Sequence, residues 1–227
     1  MNFANKKSFT LIEIVVVVML LGVALIAVFQ SLNYAFRGSE QTRYETIALN
    51  LAREGVELVG QIRDSNRLQW SGKTDLCWLK SDPYQDFGGI GCENDAWIQS
   101  GWYALVNYKF ADQTVYRLDF MTGARFEFSG GINASDLKFS LCFLNDGGWS
   151  SCPDNYPTGS QGKYWRAVRV LGLYDKVGTG NFLSCPTGNT GLCGDGTAKE
   201  LRFCVVVGYE LLSRGKVELC SILTNFK

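Results

Sequence analysis

The run from Phe9 to Phe29, FTLIEIVVVVMLLGVALIAVF, is 21 residues long and carries one charge, Glu13; nothing else in the chain constrains its fold as strongly. Its uninterrupted apolar part, Ile14 to Phe29, covers 16 residues. A helix of about 20 residues rises about 30 Å, the thickness of a bilayer's hydrocarbon layer. The segment is therefore expected to be a membrane-spanning helix. Met1 to Ser8 contain Lys6 and Lys7 and no acid, which orients the preceding end toward the cytoplasm.

A secretory signal peptide also joins basic residues to an apolar run. Two features count against it. The run exceeds the usual apolar region of about 7–15 residues, and no clean small-x-small cleavage site follows: Leu25 sits two residues before Ala27, and Asn33 two before Ala35. Glu13 has a purely local reading as well. Thr10-Leu11-Ile12-Glu13 fits a capping box, and a carboxylate in the first turn suits the positive end of the helix dipole. Capping is worth about 1 kcal/mol, against about 2.5–3.5 kcal/mol for a charge at the bilayer centre, a cost that falls near the helix start.

The helical pattern continues past the apolar run. Tyr44, Ile47, Ala48, Leu51, Ala52, Gly55, Val56, Leu58, Val59 and Ile62 mostly follow three-four spacing and form one stripe. Arg43, Glu45, Arg53, Glu54, Glu57 and Arg63 occupy the opposite face. The spacing predicts one helix from Phe9 to Arg63, 55 residues or about 80 Å, ended by Asp64-Ser65-Asn66. Its second half is amphipathic and should dock on a globular body. Gly38 marks the expected bend.

Beyond residue 66 the pattern turns to alternating, β-rich runs at Trp102–Phe110, Thr114–Phe120, Ala124–Phe128, Leu137–Leu144, Tyr164–Tyr174, Glu200–Val207 and Lys216–Leu223. Turns are expected at Asp112-Gln113, Thr122-Gly123 and Ser213-Arg214-Gly215. The fold class predicted is α+β: a long N-terminal helix laid on an antiparallel sheet. All eight cysteines, Cys77, Cys92, Cys142, Cys152, Cys185, Cys193, Cys204 and Cys220, lie past the apolar run, as expected of disulfides formed in an oxidising compartment. Direct opposition of Cys204 and Cys220 in a hairpin needs an odd loop, such as Leu211-Leu212-Ser213; a four-residue loop ending at Gly215 would separate them. A four-cysteine metal site is the competing reading, but no Cys-x-x-Cys occurs. Two Gly-rich stretches, Asp146–Gly162 and Asp175–Lys199, read as stapled coil in preference to binding loops.

Composition removes several functions. The chain has no histidine, which excludes Ser-His-Asp and Cys-His nucleophilic sites and His-ligated zinc or haem. The 22 basic and 22 acidic residues cancel, which argues against nucleic acid as a partner. Gly89-Ile90-Gly91 lacks the third glycine of a dinucleotide loop, and neither Asp195-Gly196 nor Asn145-Asp146-Gly147 has a full calcium-ligand spacing. No cofactor or metal is expected, and an enzyme is the weakest reading.

The residues in front of the apolar run are the most specific. Lys6-Lys7-Ser8-Phe9-Thr10-Leu11-Ile12-Glu13 resembles the prepilin leader of type IV pilins and type II secretion pseudopilins. The family usually has Gly before the cut, where this chain has Ser8. The resemblance implies cleavage between Ser8 and Phe9 by a membrane prepilin peptidase, N-methylation of Phe9, and an assembly role for Glu13. It divides the chain into a leader (1–8), a transmembrane helix (9–30), an amphipathic helix (31–66) and an extracytoplasmic β-rich body (67–227). Ala48–Glu57, Ile62–Asn66 and the closing hairpin around Cys204-Val205-Val206-Val207 look like the PilV-like minor-pilin branch. The implied protein is a structural subunit held in the bacterial inner membrane, in contact with lipid, and built into a type IV pilus or secretion-like filament at the cell surface or in the periplasm. Its partners are other pilin or pseudopilin subunits and an inner-membrane assembly platform. A membrane-anchored binding module, an adhesin or ligand receptor at a filament tip, is the alternative.

Overall fold

A single helix, α1 (Leu11–Gln69), takes up 59 residues. None of the four prolines, Pro83, Pro153, Pro157 and Pro186, falls inside it, so no backbone donor is lost along its length. The computed structural model describes residues 11–70, 77–84, 98, 100–110, 113–121, 140–143, 149–151, 164–178, 180, 182–183, 198–210 and 214–225. The chain divides between Tyr44 and Glu45 into two units. The described part of the first is helix alone, and it continues through Gly38.

The second unit is α+β. Its strands are β1 (Gly101–Phe110), β2 (Gln113–Phe120), β3 (Ser140–Phe143), β4 (Trp149–Ser151), β5 (Tyr164–Tyr174), β6 (Phe182–Leu183), β7 (Glu200–Glu210) and β8 (Arg214–Thr224), and every pairing among them is antiparallel. The main sheet runs β2-β1-β5-β7-β8. β7 follows β5 along its whole length, so β3, β1 and β6 share the other edge of β5 in succession. β5 is buried at nearly every position, as a strand covered on both faces must be. One face carries Arg166 and Val205 toward α1. The other carries Ala104, Trp165 and Ala167, with Trp102, Val106 and Met121 against them.

The helical stripe read from the spacing is the buried one: Ala48, Leu51, Ala52, Gly55, Leu58, Val59 and Ile62 are buried, while Arg53 and Glu57 are exposed. The helix does not end at Asp64-Ser65-Asn66. It runs on to Gln69, because fully buried Asn66 donates from Nδ2 to the carbonyls of Trp78 (3.2 Å) and Lys80 (2.9 Å), and its own carbonyl accepts from Trp70 N–H at 3.0 Å. A tertiary partner holds an amide that would otherwise compete with its own backbone.

Gln113, Arg214 and Gly215, read as turn residues, are strand residues. Glu210 pairs with Arg214, which leaves three residues between the paired strands and sets Cys204 opposite Cys220. Those two form a disulfide, and Cys77 is disulfide-bonded too. The ring of Tyr209 lies across Gly215, where a Cβ would meet it. β4 and β6 are strands that the spacing did not predict. The expected run Ala124–Phe128, the turn Thr122-Gly123, Cys92, Cys152, Cys185, Cys193 and most of the two Gly-rich stretches lie outside the described residues; Cys142 sits on β3, in register with Ser150.

Candidate functional site: the N-terminal helix and its seat on the sheet

From Leu11 to Phe36 every residue is exposed apart from half-exposed Gly22. The large apolar side chains of this stretch keep between 47% and 82% of their surface accessible. Glu13, in the first turn of α1, is the one charged residue among them. Length and apolar character make this part of α1 able to cross a membrane. Ser8, Phe9 and Thr10 lie outside the described residues.

In the second unit the helix meets the sheet through three contacts that the apolar spacing did not announce. At Gly55 a Cβ would lie 2.7 Å from Val205 Cγ1 and 3.2 Å from Arg166 Cδ, so the two backbones approach where only glycine leaves room. Buried Arg166 donates from Nη1 to the Leu51 carbonyl (3.4 Å) and pairs with Glu54 at 3.3 Å. Asn66 forms the third contact, supplemented by Arg67 donating to Asn225 Oδ1 at 2.9 Å. Nearer the start of this unit, Tyr209 donates its hydroxyl to Glu45 at 3.3 Å; burial and that carboxylate raise the phenol's pKa.

The remaining polar groups of the body fasten strands and turns. Glu200, fully buried, accepts from Gly178 N–H at 2.6 Å and from Arg202, and these bonds hold its carboxyl below the usual range. Arg202 also donates to the Gly178 carbonyl and stacks over Tyr174 at 4.1 Å, closing the turn after β5 onto β7. Asp82 accepts from the Tyr108 hydroxyl (2.6 Å) and the Tyr84 N–H (3.0 Å); burial and Asp82 push the Tyr108 phenol well above its ordinary pKa.

Glu200 has its hydrogen-bond donors, while Asp82 takes both of its bonds on Oδ1 and turns Oδ2 toward Arg117 at 3.8 Å. Two cavities at the helix–sheet contact, beside Ile62 and Tyr116 and beneath Val59 and Trp78, hold about 10 Å³ each, room for one water. Cys204, Glu218 and Cys220 cluster closely enough to ligate an ion, but the two sulfurs are joined to each other and Glu218 pairs with Arg169.

No curated protein and no solved structure matches the chain. Residues 3–29 match the prokaryotic N-terminal methylation motif, a span that takes in Ser8, Phe9, Glu13 and the apolar run. Over that segment the chain is similar to prokaryotic proteins that carry the N-terminal methylation motif.

Proposed function

We propose that the chain is a structural filament subunit, a minor pilin or pseudopilin, and not an enzyme. In this reading a prepilin peptidase cuts between Ser8 and Phe9 on the cytoplasmic side, and Phe9 is N-methylated. The apolar part of α1 then holds the subunit in the inner membrane, with the body beyond residue 66 outside the cytoplasm. Assembly with other pilin-like subunits moves the helix from lipid into a bundle of like helices. One joined feature carries the reading: the methylation motif runs directly into the first part of α1, whose apolar side chains from Leu11 to Phe29 are exposed and interrupted by the single charge of Glu13.

Phe9 and Glu13 are four residues apart, so after the cut the new amine and this carboxylate share one helix face. A carboxylate in hydrocarbon calls for a cationic partner. The amine of Phe9 on a neighbouring subunit supplies it and sets the axial register. Glu13→Val tests this role. The variant should insert, since its segment becomes more apolar, and should still be cleaved, but should be missing from sheared filaments or stop their assembly. Filaments holding Glu13→Val at the wild-type level would return Glu13 to a local cap.

A further inference from the structure

An apolar stripe repeating every three or four residues does not by itself fix where a helix sits along a sheet. A shift of one turn, about 5.4 Å, replaces each buried residue with another of the same kind. In this body two contacts forbid the shift. A move of three or four residues either way brings Leu51, Ala52, Leu58 or Val59 to the place of Gly55, against the stiff, fully buried Val205. The same move brings Ile62, Arg63, Gln69 or Trp70 to the place of Asn66; Ile62 has no donor, and the longer Arg63, Gln69 and Trp70 side chains do not carry theirs at the short reach from which Asn66 Nδ2 bonds the Trp78 and Lys80 carbonyls. Arg166 is less selective, since a three-residue shift brings Glu57 to it in place of Glu54, but any shift breaks its bond to Leu51 O for as long as the helix moves. Gly55 and Asn66 stand eleven residues apart, about 16 Å along the axis, so they act at separate points.

We infer that Gly55, Asn66 and Arg166 lock α1 on the sheet in one axial register, making this contact a joint that resists pull along the helix. The inference rests on the filament-subunit reading, in which force reaches the body through the apolar half of the same helix. Buried polar contacts serve this purpose better than more apolar area, because during a slip Asn66 loses its bonds and Arg166 must break its own, whereas apolar contacts stay interchangeable.

The test is single-molecule force spectroscopy on the full-length chain in detergent micelles, held at constant load between its two ends. Asn225 lies beside Arg67, so the C-terminal handle pulls near the far end of the docked helix and the load shears it against the sheet. Asn66→Ala is compared with Val59→Ala or Leu58→Ala, whichever matches its fall in Tm; Arg166→Met, which keeps the buried volume filled, is a second lock variant. The lock predicts that Asn66→Ala shortens the lifetime of the loaded joint about tenfold beyond its Tm-matched apolar control, the effect of losing one buried amide's bonds, and that Arg166→Met shortens it as well. Equal lifetimes for Asn66→Ala and its control would overturn the inference. The purified chain is measured without a filament, so absence of the protein from filaments would sink the filament reading and leave this result unchanged.

Discussion

Gly55 and Gly60 lie five residues apart on the docked half of α1, and the structure gives them opposite responses to the same substitution. Replacing an interior helical glycine with alanine removes a propensity penalty of about 1 kcal/mol. At Gly60 a new Cβ meets nothing within 4 Å, so Gly60→Ala should gain that full amount. At Gly55 the Cβ would sit 2.7 Å from Val205 Cγ1, about 1 Å inside ordinary carbon–carbon contact. Val205 is fully buried and β-branched, with one restricted torsion to move, and Arg166 Cδ stands at 3.2 Å on the other side. Overpacking of this kind costs about 1–3 kcal/mol, so Gly55→Ala should be destabilising by about 1 kcal/mol net. Propensity cancels between the two sites, and their difference, about 2 kcal/mol, measures the close approach itself. Denaturant unfolding of the detergent-solubilised chain, followed by tryptophan fluorescence, reads both values. Val205→Ala completes a cycle: the new methyl at position 55 fills space the valine vacates, so the double variant should be more stable than the two single effects sum to. A Gly55→Ala protein stabilised as much as Gly60→Ala would refute the close approach and weaken the register lock.

Two further outcomes concern the body. Protein taken from the cell envelope and denatured without reductant should show most or all eight cysteines oxidised, and joint Cys204→Ser and Cys220→Ser replacement should cost about 3 kcal/mol for a bridge closing a 16-residue separation; six or more free thiols would contradict the oxidised body. Glu200 has a folded-state pKa below its ordinary value, so its stabilising contribution is complete above about 4.5 and is lost as pH falls through the lower folded value. Glu200→Gln should therefore melt below wild type at neutral pH, with the gap closing in acid; a gap that stays constant with pH would show that the carboxylate's charge is not what Gly178 and Arg202 hold.

Much of the architecture was legible because it rests on periodicity. The buried stripe of α1 is the three-four pattern from Ala48 to Ile62, and β1, β2, β5, β7 and β8 fall within a few residues of the alternating runs. The misses share one cause: a distant partner decided the outcome. Asn66 ranks as a helix terminator by local chemistry, yet its amide is taken up by two carbonyls 12 and 14 residues away. Gly55 stood in the apolar stripe with nothing nearby to show that Val205, 150 residues on, fills the space a side chain would need. Arg166 sat in an apolar strand with no sign that it would be buried against Leu51 and Glu54. β4 and β6, three and two residues long, are too short to carry a period. The N-terminal methylation motif was legible for the opposite reason: it is written in consecutive residues and depends on no tertiary partner.

The central claim is that α1 is retained after a cut in front of it. Intact-mass and N-terminal peptide analysis of the protein extracted from membranes tests it most directly. The account predicts a mature chain that lacks Met1 to Ser8, begins at Phe9 with one added methyl on its amine, and keeps the whole apolar run to Phe29. An uncut chain beginning at Met1, or one beginning beyond Phe29, would contradict it.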